Sequence, residues 1–287
     1  MASAPAIIAL IDGSVYSASI CDHASWLANQ TGASVAIIHT LGRRHVSSAP
    51  SNLSGSIGLG ARTALLEELA ELDGQKAKLA QKRGRAILED AEQRISQSGV
   101  ASTSSKLRIG EFVETVLEME SAADMIIIGK RGEAADFDTL HLGSNLERLV
   151  RASSRPVLVA AREFRPIERV LVAFDGGNSV LKAIDYTANS HAFRDLEFHL
   201  LTAGSENTTI KRQQGGAAAL LSGAGYKVTT AVVDGQPEEV IAAAVKNDGF
   251  DLLVMGAYGH SRIRNLIIGS TTTEMIRSCK IPVVLFR

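Results

Sequence analysis

The chain has 287 residues, 45% of them hydrophobic and 21% charged, with a formal net charge of -1. At about 150 residues per domain that length predicts two domains, and the apolar content excludes disorder as the dominant state. The near-neutral charge argues against a nucleic-acid partner, which would call for a basic surplus. Cys21 and Cys279 stand far apart and outside any Cys/His cluster, which excludes a disulfide framework or zinc site and suits a reducing cytosol.

The opening MASAPAIIALIDGS has no basic residue before its apolar run, and Asp12 interrupts that run. A secretory leader is therefore not expected. No stretch approaches the roughly 18 apolar residues of a membrane span. The expectation is a cytoplasmic α/β protein without a membrane partner.

In chain order, short β-branched runs at residues 7–11, 35–39, 125–128 and 157–160, with a weaker one at 107–109, predict the strands of the first half. Runs at 170–174, 198–201, 228–233, 252–255 and 283–286 predict those of the second. Such runs, bounded by Gly, Asp or Pro, read as buried parallel strands. Helical stretches fall between them, among them 17–30, 112–122, 146–152 and 238–246. Strand–helix alternation predicts a doubly wound parallel sheet in each half, with helices on both faces.

The two halves repeat each other. IIALIDGS (7–14) matches VLVAFDGG (170–177), and MIIIGKRG (125–132) matches LLVMGAYG (252–259). GSNLERLVRASSRPVLVA (143–160) matches GSTTTEMIRSCKIPVVLF (269–286). The shared order means a tandem duplication, with halves at 1–161 and 167–287 and the linker REFRP between them. The first half carries an insert at 42–105, with a Ser/Gly-rich loop (47–60) and a charged helical stretch (62–96); the second compresses the same connection to 204–226. The insert reads as a solvated amphipathic helix, with a lid or partner surface as the alternative.

In open parallel sheets, ligands bind at the carboxyl ends of the strands where strand order reverses. Asp12 and Asp175 follow the first strand of each half; Gly129 and Gly256 follow the fourth. From Gly256 the sequence runs two residues to Gly259 and nine more to Gly269 and Ser270. The glycines permit close backbone approach, and the helix opening at Gly269 offers unpaired amides to an anion. The hydroxyls of Ser270, Thr271 and Thr272 could add donors.

The strand–Asp start and the G-x2-G-x9-G-[ST] pattern resemble the universal stress protein family, over both halves as a tandem member. The resemblance implies an adenine nucleotide, usually ATP (possibly with Mg), and a Rossmann-like fold. It implies that Asp175 contacts the adenine or ribose and that Ala203 lines the adenine pocket. Gly256, Gly259, Gly269, Ser270 and Thr271 would hold ribose and phosphates, with Arg262 as a candidate phosphate partner. The matching first-half positions are Asp12, Thr40, Gly129, Gly132, Gly143, Ser144 and Asn145. It also implies that the last strands of the halves, at 156–160 and 282–286, pair within the chain as a pseudo-dimer; further homodimerisation stays open.

The first half departs from the pattern. Ten residues, not nine, separate Gly132 from Gly143, and they include Glu133, Asp136 and Asp138, which Lys130 and Arg131 partly offset. Arg262 and Arg264 lie in the second-half loop, which has no acid. The second half is therefore expected to bind nucleotide better.

Structural alternatives stand beside these roles. Asp12 and Asp175 could cap the following helix, and Ser144 and Ser270 could be N-caps. His141 and His260 read as surface residues, Cys21 and Cys279 as buried and inert. No GxxxxGK[ST] loop, dinucleotide fingerprint or GxSxG elbow occurs. The readings that remain are an ATP-binding stress regulator with little or no hydrolysis, a nucleotide-independent interaction scaffold, and a weak ATPase.

Overall fold

A computed structural model describes residues 6–42, 59–132, 143–257 and 269–287, the side chains of 59–64 excepted. In the first half β1 (Ala6–Leu10), α1 (Ser17–Thr31), β2 (Ser34–Leu41), α2 (Leu59–Gln97) and β3 (Thr103–Ile109) are followed by α3 (Phe112–Leu117), β4 (Met125–Gly129), α4 (Ser144–Ala152) and β5 (Val157–Ala160). The second half repeats the series: β6 (Arg169–Ala173), α5 (Asn178–Asn189), β7 (Glu197–Ala203), α6 (Thr208–Gly223), β8 (Lys227–Val233), α7 (Pro237–Asn247), β9 (Leu252–Gly256), α8 (Ser270–Ser278) and β10 (Val283–Phe286). The helical stretch expected over 112–122 divides into α3 and a 3-10 turn at Glu120–Ala122. α3 starts on the Glu111 side chain, which accepts from the amides of Val113 and Glu114.

The strands form one ten-stranded sheet in the order β3-β2-β1-β4-β5-β10-β9-β6-β7-β8. Pairing is parallel within each half. At the centre β10 runs antiparallel to β5, with Val284 opposite Leu158. That is the pseudo-dimer contact expected of the two last strands, made inside one chain.

Period-2 alternation, with both faces covered, explains why the inner strands are apolar along their length. Ile7 and Ala9 join a cluster with α1, α2, α5 and α6, while Ile8 and Leu10 join one with α3, α4, α7 and α8. Each cluster runs across both halves.

Basic side chains tie the halves together at the centre. Lys130 Nζ donates to the carbonyl of Cys279, the residue closing α8. Arg287 donates to the carbonyls of Arg151 and Ala152 at the end of α4. Each cation thus meets the negative end of a helix belonging to the other half. The Tyr186 and Phe286 rings pack 5.4 Å apart nearby. The linker is held too: Phe164 meets the His23 ring edge-on at 4.9 Å.

Candidate functional site

Strand order reverses between β1 and β4 and again between β6 and β9. At the first of these points the loop after the first strand meets the loop after the fourth, where Gly132 lies against Asp12. Asp12 follows β1 by two residues, and its Oδ1 accepts from the Ser14 amide at 3.0 Å. Asp175 Oδ1 accepts from the Gly177 amide at 2.8 Å. Each carboxylate therefore braces its own turn, as the capping alternative supposes, but neither is the N-cap of α1 or α5. Gly13 and Gly176 follow with φ of 80° and 71°, where a side chain would be strained.

Of the remaining first-half residues, Gly132 lies against Asp12. A β-carbon built on Gly132 would stand 2.9 Å from Asp12 Oδ2. The Gly143 amide donates to the Lys130 carbonyl at 3.2 Å, which sets the start of α4 beside the end of β4. Gly129 is buried against the Tyr16 side chain. Gly143 is the N-cap of α4, with no side-chain cap, and Ser144 and Asn145 are exposed in its first turn. Their amides lack intrahelical acceptors and, with the helix dipole, can receive an anion. Thr40 lies inside β2, one residue before its end and not after it as the run at 35–39 predicts, and its Oγ1 is buried with no hydrogen-bond partner among the described residues.

The second half repeats the frame. Gly256 closes β9, and the Gly269 amide donates to the Ala257 carbonyl at 3.4 Å, the counterpart of the Gly143–Lys130 bond. Gly269 is the N-cap of α8, so Ser270, like Ser144, is the first helical residue rather than the cap. Ala203 ends β7 and is half-buried. Gly259 and Arg262 lie outside the described residues, as do Glu133, Asp136, Asp138, His141, His260 and Arg264.

Three side chains have partners that the sequence did not show. Thr271 Oγ1 donates to Glu238 Oε1 at 3.0 Å, so its hydroxyl is directed at α7. Thr272 is buried, and its hydroxyl donates to the Gly256 carbonyl at 3.1 Å. Of the three hydroxyls, that of Ser270 remains exposed at the helix start. The acids of 133–142 that the sequence expects Lys130 to offset lie outside the described residues, and its ammonium is directed at α8 of the other half. Burial pushes its pKa down to about 8.

Sequence reasoning missed His39 and Glu238. His39 Nδ1 bonds the Ile11 carbonyl at 2.8 Å, and Thr202 Oγ1 bonds the Phe174 carbonyl at 2.8 Å. In each half a side chain from the second strand thus fixes the peptide just before the aspartate. A carbonyl only accepts, so His39 carries its proton on Nδ1. Register within the repeat aligns His39 with Thr202 and was the available signal. Glu238 could be found only from the approach of α7 to α8.

Among the described residues, no group of three His, Cys, Asp or Glu side chains could hold a metal ion. No described helix is long and apolar enough to cross a membrane. A groove of about 690 Å³ runs along α5 past Leu181 and Tyr186, away from the strand ends.

Two tandem doubly wound domains, each with an aspartate after its first strand and a glycine-started helix after its fourth, define the class. The model of the universal stress protein family matches residues 5–161 and again 166–287, and the chain belongs to that family. Over 284 residues it is 37% identical to the universal stress protein Slr1230 of Synechocystis, covering 98% of this chain and 99% of that one. The universal stress protein Rv2005c of Mycobacterium tuberculosis is 24% identical over 229 residues, covering 71% and 77% of the two chains. Among solved structures, a universal stress protein from Archaeoglobus fulgidus superimposes with a TM-score of 0.70 at 18% identity, covering 98% of this chain and 96% of that one.

Proposed function

We propose that this protein binds an adenine nucleotide, ATP with any Mg carried on its phosphates, at the carboxyl ends of the strands. Its output is a nucleotide-dependent change in regulation during stress, with little or no hydrolysis. The observation carrying this reading is the contact of Gly132 with Asp12, beside Gly143 and the open start of α4. Residues far apart in sequence leave a small-residue floor between a carboxylate and a helix N-terminus. A carboxylate suits ribose or adenine donors, and the helix start suits phosphate. Asp175, Gly256 and Gly269 supply the same frame in the second half. Ser270 adds a hydroxyl there, and Ser144 and Asn145 line the first-half helix start.

The protein purified without added ligand should release ATP or ADP near one per chain on denaturation, read by mass spectrometry. An empty protein that also fails to take up added ATP in calorimetry would defeat the reading. The second-half site is the tighter one, with Arg262 as its phosphate partner. Gly269→Val should therefore lower ATP affinity more than Gly143→Val. The reverse order would assign the main site to the first half.

A further inference from the structure

Helix α2 is 39 residues long, and among its described side chains the buried ones all lie in its last part. Gly84, Leu88, Ala91 and Ile95 are buried at the side of β2, β3 and α1. From Leu65 to Arg83 no residue is buried. At 1.5 Å per residue this stretch extends for about 28 Å.

A helix that meets only water should be polar all round. This one carries Leu65, Leu69, Leu72 and Leu79, with Leu72 and Leu79 44% and 68% exposed. Leu65, Leu72 and Leu79 are seven residues apart, and Leu69 precedes Leu72 by three. That is a heptad stripe in which Leu69, Lys76 and Arg83 take the alternate core positions. Its charges are segregated along the helix. Glu67, Glu68, Glu71 and Asp73 come first, then Lys76, Lys78, Lys82, Arg83 and Arg85. Parallel pairing of two such helices would set acid beside acid and base beside base. Antiparallel pairing sets each acidic segment beside a basic one.

We propose that α2 is a self-association surface on which a second copy of this chain docks antiparallel along the leucine stripe. Centring the pair on Gly74 sets Leu69 against the partner's Leu79, and Leu72 against the aliphatic stem of the partner's Lys76. Glu68 then flanks the partner's Lys82. Two-fold symmetry makes each of these contacts twice. The central sheet edge is not available for this purpose, because β5 is already paired with β10.

Sedimentation equilibrium of the full chain should give a reversible dimer at micromolar concentration. Leu72→Lys with Leu79→Lys should leave a monomer with unchanged circular dichroism, since both positions are exposed. Glu68→Lys and Lys82→Glu should each weaken the dimer about tenfold by turning two attractive pairs repulsive. Mixing those two variants should restore a dimer of wild-type affinity, because opposite charges face each other again. Parallel pairing gives no such rescue, since positions 68 and 82 never meet. A wild-type chain that stays monomeric, leucine variants that still dimerise, or a mixture without rescue would each overturn the proposal. A monomer would leave the stripe to another protein.

Discussion

Asp12 and Gly132 are 120 positions apart in sequence, yet a single β-carbon on the glycine would collide with the carboxylate. Their positions could be read from the sequence because a residue just after a parallel strand can only lie at the sheet's carboxyl edge. The direction of individual side chains could not be read this way. Thr271 looked like a phosphate donor until α7 brought Glu238 to its hydroxyl. The reach of Lys130 to the far end of α8 was equally hidden. Its ammonium is pushed down to about 8 by burial, from 10.5 in the unfolded chain. Between those two pH values the unfolded state binds more protons, so this group makes stability rise with pH; below about 8 both states are charged and the cost of burial is constant. Urea unfolding of wild type and Lys130→Met at pH 8, 9 and 10 should show their stability difference shifting towards the wild type as pH rises. A difference that stays flat would contradict the buried ammonium.

At the scale of elements, hydrophobic spacing located the inner strands because they pair in the sheet and are covered on both faces. The weak run at 107–109 proved to be the end of β3, whose earlier residues alternate between half-buried and exposed and so carry less signal. The 112–122 stretch was read as one helix, but its periodicity continues through a break that only backbone geometry reveals. α2 divides at Gly84, and that division is testable. Ile95 is fully buried, so Ile95→Ala should lower stability by roughly 2–5 kcal/mol. Leu79→Ala, at an exposed position, should change monomer stability by no more than about 0.5 kcal/mol. Chemical denaturation at a concentration below any self-association distinguishes the two. Equal losses would mean that the stretch before Gly84 is packed after all.

At the scale of the whole molecule, the two halves behave as one sheet with a seam. β5 and β10 are four-residue strands, buried throughout, and each is flanked by a parallel neighbour on its other side. Left alone, either would be an exposed apolar edge, a template for association with other chains. A chain lacking residues 283–287 should therefore aggregate or associate through β5, with loss of the monodisperse species on size exclusion. A monodisperse, fully folded truncation would show that the helix-end contacts of Lys130 hold the halves without the seam.

The sequence by itself determined the duplication, the doubly wound class and the ends of the strands where a ligand would sit. Repeats, apolar runs and Gly/Asp punctuation are local features, and parallel topology converts them into position. Only the tertiary structure decided which groups face that site. It turned Thr271 towards α7, sent Lys130 across the seam, placed His39 and Thr202 behind the two aspartates and left Leu72 and Leu79 of α2 exposed. These outcomes depend on how helices approach one another, and side-chain direction at a packing contact follows from the three-dimensional neighbour rather than from spacing along the chain.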